Sequence, residues 1–365
     1  MKIVTVIGAR PQFIKAAALS RAIAESNGGI QEVIIHTGQH FDENMSEVFF
    51  KEMNIPKPDY NLNVGGLSHG AMTGRMIEKI EEVLKKEDPD YLLVYGDTNS
   101  TLAGAIAAKK LLISVIHVEA GMRSFNNDMP EEINRILTDR ISQLLFCSTT
   151  SAIENLRLEG FEKFPCHFEL VGDIMEDVAI YYSERIKKEQ TPKRKLDFGE
   201  YCLATVHRAE NTDNPERLSA IMDAFNELSD QIKIVVPLHP RTRNILAQNK
   251  IKTDFTIIDP VGYLEMVDLI SNCRLVLTDS GGLQKESYFF DKYCITLRDE
   301  TEWVELVENG YNRIVGANKD LIIQAARELL NTKFIKKDNL YGGGVAAKKI
   351  LDGIRADFSL KEKKK

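Results

Sequence analysis

Residues 72–95, MTGRMIEKIEEVLKKEDPDYLLVY, contain a helix, a turn and a buried strand in succession, and this order decides the fold class. Apolar residues recur along the first part at the three- and four-residue spacing of a helix face: Met72, Met76, Ile80 and Val83. Asp88-Pro89-Asp90 ends that helix, because proline cannot continue it. Tyr91–Tyr95 is apolar throughout, which is typical of a parallel strand that is covered on both faces.

The same alternation extends in both directions along the chain. The other predicted strands are Lys2–Ile7, Glu32–His36, Val115–Val118, Tyr201–Val206, Lys233–Pro237, Phe255–Ile258 and Arg274–Thr278. Helical stretches or turn residues follow them, which predicts an α/β fold with parallel sheets. The pattern restarts in the second half, so we expect two similar domains.

The length of 365 residues also favours two domains, because one hydrophobic core rarely grows so large. Val171-Gly172-Asp173 marks a loop, whereas Thr191–Lys195 has the more linker-like composition. We predict an N-terminal domain over residues 1–170 and a C-terminal domain over 171–345. Residues 346–365 are expected to form a last helix and a Lys-rich tail.

The composition excludes several classes of function. A net charge of −7, with acidic and basic residues interspersed, gives no electrostatic reason to expect nucleic acid or an anionic membrane as partner. Arg10-Pro11-Gln12 interrupts the first apolar run, and no other approaches the length of a membrane span. Five scattered cysteines and the absence of metal spacing among seven histidines argue against disulfides and zinc. A cytoplasmic protein without a metal is expected.

The turn after the first strand, Gly8–Lys15, has one glycine where a dinucleotide fingerprint needs three, which disfavours NAD. Its cations, Arg10 and Lys15, suit a phosphate beside a helix N-terminus, although a solvated helix start has the same composition.

Three acids follow strands or begin helices in the first half, and each has a purely structural interpretation. Asp97 could cap the helix that follows it. Glu119 ends an apolar strand, which is unfavourable unless the carboxylate is paired or faces a cleft. Glu131 stands beside Glu132 in the first turn of a helix, where acidic charge is generally favourable.

In the second half, Asp279–Gly282 follows a strand and begins a helix. Paired glycines at a helix N-terminus can bind a diphosphate through backbone amides, and Glu286 could accept hydrogen bonds from a ribose diol; a tight connection is the alternative. His207 and His239 each follow a strand and stand near an arginine, which favours contact with an anion.

Six blocks in this order resemble the non-hydrolysing UDP-N-acetylglucosamine 2-epimerase family, from Lys2 to about Ile350. The blocks are Gly8–Lys15, Gly96–Thr98, His117–Gly121, Pro130–Arg135, Asp279–Gly282 and Arg298–Glu302. The resemblance implies two Rossmann-like domains that face a cleft, the glycosyltransferase-B architecture, with UDP on the C-terminal domain. It also implies a homodimer, a last helix that packs on the first domain, and no cofactor.

The resemblance also implies the site residues. Those with a catalytic role are Asp97, Glu119 and Glu131 around the sugar and His207 at the diphosphate. Those that bind the UDP-sugar are Arg10, Lys15, Gln39, Arg135, His239, Ser280, Gly281, Gly282, Glu286 and Arg298. The hydrogen on C2 has no neighbouring carbonyl, so UDP must leave C1 as that proton is removed, and protonation from the opposite face gives the epimer.

Departures from the family pattern bear on the substrate. Ala209 and Trp303 stand where many relatives have arginine, and Tyr341–Gly344 has glycine where they often have aspartate. Together with Thr37–Met45, these features resemble the subgroup that acts on UDP-2,3-diacetamido-2,3-dideoxyglucuronate. UDP-N-acetylglucosamine is the second candidate substrate, and a glycosyltransferase of the same fold is the alternative function.

Overall fold

The computed structural model describes residues 1–26, 28–39, 56–189, 199–337 and 339–363. The chain divides into two compact units: Met1–Val178 together with Asn339–Lys365, and Ala179–Asp338. The division lies within a helix, Ile174–Glu189, a few residues beyond the join predicted near residue 170. The linker-like stretch Thr191–Lys195 and residues 40–45 of the Thr37–Met45 block lie outside the described residues.

Unit 1 contains a seven-stranded sheet in the order β3-β2-β1-β4-β5-β6-β7, and all of its paired strands are parallel. The strands are β1 Lys2–Ile7, β2 Gln31–His36, β3 Tyr60–Asn61, β4 Tyr91–Tyr95, β5 Ser114–Ala120, β6 Leu144–Cys147 and β7 His167–Leu170. The helices are α1 Arg10–Glu25, α2 His69–Glu87, α3 Asn99–Lys110, α4 Pro130–Ile141 and α5 Thr150–Leu158, with a short 3-10 turn at Phe161–Lys163. Helix α6, Ile174–Glu189, begins in unit 1 and continues in unit 2.

Unit 2 contains a six-stranded parallel sheet in the order β10-β9-β8-β11-β12-β13. The strands are β8 Tyr201–Thr205, β9 Lys233–Pro237, β10 Thr256–Ile258, β11 Leu275–Thr278, β12 Cys294–Thr296 and β13 Asn312–Ile314. The helices are α7 Ala209–Thr212, α8 Pro215–Ser229, α9 Pro240–Gln248, α10 Tyr263–Asn272, α11 Gly281–Phe289, α12 Val304–Glu308 and α13 Lys319–Leu330.

The last helix, α14 (Ala346–Glu362), returns to unit 1 and packs against α1. It is anchored there where the Tyr91 hydroxyl donates a hydrogen bond to Asp357 at 2.6 Å. Asp177 accepts hydrogen bonds from the Ala346 and Ala347 amides at 3.0 and 2.9 Å, and so fixes the start of the helix. In the described ranges, no helix is long and apolar enough to cross a membrane.

The eight strands predicted from apolar runs are confirmed, with ends that differ by at most a few residues. Five strands were not predicted: β3, β6, β7, β12 and β13. These are two to four residues long, which is short for a strand to be recognised from sequence. In addition, β7 and β13 carry polar side chains at a sheet edge. Both sheets reverse their strand order next to the first strand of the unit, between β1 and β4 and between β8 and β11. Ligands bind beyond the carboxyl ends of strands at such reversal points.

Candidate active site

The first feature of the site is an ion pair at the carboxyl ends of the unit 1 strands. Lys15, one turn into α1, donates a hydrogen bond to Glu119 at the end of β5. Both side chains are largely buried, at 11% and 13% exposed. The charge of Glu119 at the end of an apolar strand is therefore compensated by a cation, which is what the sequence required of a carboxylate in that place.

The backbone at Glu119 is held in an unusual conformation. Its φ angle is +73°, in the left-handed region, and the pairing of β5 with β6 shifts register between Val118 and Ala120. A left-handed residue other than glycine is unfavourable by about 1–3 kcal/mol and persists only where its surroundings impose it. Such an irregularity redirects a side chain at the end of a strand, here towards Lys15.

Gly96, which follows β4, brings a second acid to the same place. Its φ angle is +62°, and a Cβ there would lie 3.4 Å from Glu119 Oε2 and 3.5 Å from Lys15 Nζ. The turn therefore runs alongside the ion pair, and Asp97 is the next residue. Asp97 accepts a hydrogen bond from Arg135 of α4, while its backbone carbonyl accepts one from Asn134 Nδ2 at 2.9 Å.

Arg135 links Asp97 to a third carboxylate, Glu132. Arg135 Nη1 lies 2.8 Å from Glu132 Oε2, and the Ser124 amide and hydroxyl donate to the same oxygen at 2.9 Å. Burial opposes the charged form of Glu132, but the hydrogen bonds from Ser124 and Arg135 outweigh it and hold its pKa below the ordinary value. Glu131, the neighbouring acid, is exposed in the first turn of α4.

Two glutamine side chains, Gln12 and Gln39, form hydrogen bonds with the turns around this site. Gln12 Oε1 accepts hydrogen bonds from the Gly8 and Ala9 amides at 2.8 and 3.1 Å, and its Nε2 donates to the Tyr95 carbonyl at 2.8 Å. Gln39 Oε1 accepts from the Ser100 hydroxyl at 2.7 Å. Because the Gly8 and Ala9 amides already have Gln12 as their partner, they are not available to an anion, which side chains such as Lys15 could bind instead. Arg10 is the first residue of α1.

In unit 2 the central group is a buried carboxylate, Asp279, at the end of β11. It accepts hydrogen bonds from the His207 and Arg208 amides at 3.0 Å and from Asn211 Nδ2 at 3.2 Å. His207 Nδ1 also lies 3.2 Å from Asp279 Oδ1, while the ring is 53% exposed. Asp279 thus fixes the turn after β8 and leaves the imidazole available to a ligand.

The N-terminus of α11 follows at once. Ser280 caps the helix by accepting a hydrogen bond from the Leu283 amide at 3.5 Å. Gly281 is packed tightly, because a Cβ there would lie 2.3 Å from Glu302 Oε1. Gly282 is exposed, and a Cβ there would meet none of the described atoms within 4 Å. The side-chain position of Gly282 in this first turn is therefore open, which allows a ligand to approach the helix N-terminus closely.

The segment that follows β12 packs against the N-terminus of α11. Trp303 Nε1 donates a hydrogen bond to the Gly281 carbonyl at 2.9 Å, and Lys285 lies over the Trp303 ring at 4.1 Å. Arg298 is buried and pairs with Glu302 at 2.7 Å, whereas its Nε has no hydrogen-bond partner among the described residues.

Two predicted binding residues lie further from this turn along the chain. Glu286 is in the second turn of α11 and is 9% exposed. His239 caps α9, where its Nδ1 accepts a hydrogen bond from the Arg241 amide at 3.3 Å. This cap is a structural role that the sequence did not indicate.

The structure therefore gathers Lys15, Gln39, Asp97, Glu119 and Arg135 in unit 1. In unit 2 it gathers His207, Ser280, Gly281, Gly282 and Arg298. Sequence reasoning gave no role to Glu132 or Asp279. The only signal in the sequence was position, because Glu132 directly follows the predicted acid Glu131 and Asp279 directly precedes Ser280. In the part of the chain that the structure describes, no group of three or more His, Cys, Asp or Glu side chains could hold a metal ion.

Comparison with known proteins gives a consistent result. The model of the family described as UDP-N-acetylglucosamine 2-epimerase matches residues 21–355. A UDP-2,3-diacetamido-2,3-dideoxy-D-glucuronate 2-epimerase of Pseudomonas aeruginosa is 54% identical over 353 residues, which cover 96% of this chain and 99% of the relative. A UDP-N-acetylglucosamine 2-epimerase of Methanocaldococcus jannaschii is 44% identical over 96% of this chain and 98% of the relative. The crystal structure of a Methanocaldococcus jannaschii UDP-GlcNAc 2-epimerase in complex with UDP-GlcNAc and UDP has a TM-score of 0.84, 42% identity and coverage of 98% and 100%.

Proposed function

The chain belongs to the UDP-N-acetylglucosamine 2-epimerase family, and we propose that its substrate is UDP-2,3-diacetamido-2,3-dideoxy-D-glucuronate. It is a UDP-sugar 2-epimerase, hence an isomerase, as the six sequence blocks predicted. The observation that carries the choice of substrate is the greater identity to the Pseudomonas relative, which acts on this uronate, than to the Methanocaldococcus relative. UDP-N-acetylglucosamine is the second candidate, because it is bound in the similar crystal structure.

The reaction begins with an elimination. A base accepts the proton from C2 while the bond between C1 and the UDP oxygen breaks, which leaves a 2-acetamido glycal with a C1–C2 double bond and free UDP. Protonation of C2 on the opposite face and attack of a β-phosphate oxygen of UDP on C1 then restore the UDP-sugar with C2 inverted. One proton leaves and one returns, so the sequence of steps requires no oxidant or reductant.

We assign the proton transfers to unit 1. Asp97, Glu119 and Glu131 are the candidate acids and bases, and the pairing of two of them with Arg135 and Lys15 supports this assignment. A carboxylate held in a fixed ion pair is positioned before the substrate arrives, which is what proton transfer to and from carbon needs. Glu131 differs from the other two because it is exposed in the first turn of α4.

We assign UDP to unit 2. The Gly281 and Gly282 amides and Ser280 would bind the diphosphate, with His207 and Arg298 as further cationic or donor groups, and Glu286 would accept hydrogen bonds from the ribose. The open face of Gly282 and the unpartnered Nε of Arg298 support this assignment. These groups stabilise the negative charge that develops on UDP as it leaves C1.

Turnover of the two candidate substrates in deuterium oxide tests the proposal. The purified chain is incubated with each UDP-sugar alone, and the C2 configuration and deuterium content are followed by NMR. We expect inversion with deuterium at C2 for both, and a higher kcat/KM for the diacetamido uronate. Faster turnover of UDP-N-acetylglucosamine would overturn the substrate, and inversion without deuterium at C2 would overturn the elimination.

We further propose that the chain forms a homodimer, as the resemblance implies. An apolar stripe along α4 supports this, because Met129, Ile133 and Leu137 lie four residues apart and are 36%, 48% and 46% exposed. Light scattering of the purified chain should then give twice the monomer mass of 41.2 kDa.

A further inference from the structure

His117 of β5 lies buried between two hydrogen-bond acceptors. Its Nδ1 is 2.7 Å from Asp139 Oδ1, and its Nε2 is 2.7 Å from the backbone carbonyl oxygen of Gly96. The side chains of His117 and Asp139 are both fully buried. Through the Gly96 carbonyl, this histidine contacts the turn that carries Asp97.

The number of N–H groups that His117 needs in order to donate to both acceptors indicates its protonation state. A carbonyl oxygen only accepts hydrogen bonds, and so does an ionised carboxylate, whereas a neutral imidazole has a single N–H to donate. We propose that His117 carries a proton on both nitrogens and that this imidazolium positions the Gly96–Asp97 turn for catalysis. Its role in catalysis rests on the proposed function of Asp97, whereas its charge does not.

The surroundings of Asp139 support the ionised carboxylate that this count assumes. Asp139 Oδ2 accepts hydrogen bonds from Arg123 Nη1 at 2.7 Å and from the Gly121 amide at 3.1 Å. Burial by itself raises the pKa of Asp139, but the hydrogen bond from His117 and the charge of Arg123 outweigh it, so the pKa lies below its ordinary value. A proton shared between the two side chains therefore belongs on the imidazole.

The charges around His117 also balance. Arg123 pairs with Glu159 through two contacts of 2.6 and 2.9 Å, so two cations and two anions form one network, in which His117, Asp139 and Arg123 are buried and Glu159 is 28% exposed. A buried charge is tolerated where it is paired and hydrogen-bonded, and each member here has a partner of opposite sign. The Cys147 thiol, whose pKa is raised by burial and by the charge of Asp139, adds no charge to the group.

The imidazolium forms the second of two hydrogen bonds between β5 and Gly96. The Gly96 amide donates to the Val118 carbonyl at 3.0 Å, and the Gly96 carbonyl accepts from His117. Both polar groups of a residue with a left-handed φ are thus held by one strand, β5, which also carries Glu119. A neutral His117 would lose one of its two hydrogen bonds and loosen either this turn or Asp139.

The charge state is tested on the wild-type chain by NMR of ¹⁵N-labelled histidine, with the His117 signals identified by their loss in His117→Gln. We expect both ring nitrogens to have the chemical shifts of protonated nitrogens between pH 7 and 8, with the signals of the exposed His167 as an internal reference. One protonated and one unprotonated nitrogen would overturn the proposal. The spectrum does not depend on which UDP-sugar is turned over, so this result is separate from that of the proposed function.

The positioning role is tested with two amide variants. The Nε2 of His117→Gln can still donate to Gly96, whereas the amide of His117→Asn can reach only Asp139. We expect kcat to fall about a hundredfold in the Asn variant and clearly less in the Gln variant, since small displacements of catalytic groups have effects of that size. KM and the affinity for UDP should change little in either. Equal losses of kcat in both variants would refute the positioning role, and the wild-type spectrum decides the charge state even if a variant fails to fold.

Discussion

The two units hold their functional groups in different ways. In unit 1 the acids are side chains already paired with cations, Glu119 with Lys15 and Asp97 with Arg135, on backbone that includes two left-handed residues. In unit 2 the proposed binding groups are mainly backbone amides at the start of α11, next to an imidazole that is half exposed. Groups that must exchange protons with carbon need fixed positions, whereas a diphosphate is bound well by any helix N-terminus with an open face.

Glu119→Gln should have the largest effect and tests the unit 1 side of this comparison. Loss of one acid or base generally reduces turnover by about 10²–10⁴-fold, and we expect kcat to fall within this range. Lys15 also loses its partner, so activity is measured well below the unfolding temperature of the variant. UDP affinity, measured by calorimetry, should stay close to that of the wild type.

A matched control is Glu154→Gln on α5, which removes an exposed carboxylate outside the site. It should leave kcat unchanged. A Glu119→Gln variant that keeps more than a tenth of wild-type turnover would contradict a direct role for this acid.

Acid sensitivity should also distinguish the units, because unit 1 has a histidine that is buried neutral. His36 at the end of β2 packs against Phe13 with ring centroids 5.0 Å apart, and burial lowers its pKa from 6.5 to about 4. The unfolded chain then binds more protons than the folded chain between these values. This contribution to stability is present above pH 6.5 and is lost as the pH falls towards 4.

The test compares wild type with His36→Gln, which cannot titrate. Between pH 7.5 and pH 5 the wild type should lose about 2 kcal/mol of unfolding free energy relative to the variant. His167→Gln, at an exposed position on β7, is measured in parallel as the control for the loss of a histidine. A constant difference between wild type and His36→Gln across this range would show that His36 is protonated as readily when folded.

The smallest expected effect concerns the unit 2 backbone. Gly282→Ala places a methyl group at the open face of α11, where it meets no described atom but would obstruct a diphosphate. We expect UDP affinity to fall about tenfold, or about 1.4 kcal/mol, while the unfolding temperature stays the same or rises slightly.

Gly281→Ala is the matched variant, because its methyl group would meet the Glu302 carboxylate instead. It should lower stability, since Glu302 must move away from its pair with Arg298. Unchanged UDP affinity in Gly282→Ala would place the diphosphate elsewhere and weaken the contrast between the two units.

The sequence predicted the long elements well and the short ones poorly. Tyr91–Tyr95 and Lys2–Ile7 are strands as predicted, because continuous apolar runs between turn residues leave few other structures. β12 and β13 are three residues each, and their pairing depends on neighbouring strands rather than on their own composition. The same limit applies to the site: the acid at residue 119 was identified, but its left-handed backbone was not.

The sequence by itself determined the α/β class and the number of sheets, because hydrophobic periodicity is a local property of the chain. It also determined the residue types at the strand ends and, through the order of the six sequence blocks, the family. The tertiary structure alone decided which charges meet. Lys15 and Glu119 are 104 positions apart, and Arg135 and Asp97 are 38 apart, so only the strand order brings them together. It also decided that Glu132 is the buried acid and Glu131 the exposed one, since two adjacent helical residues differ in environment through the surface on which the helix packs.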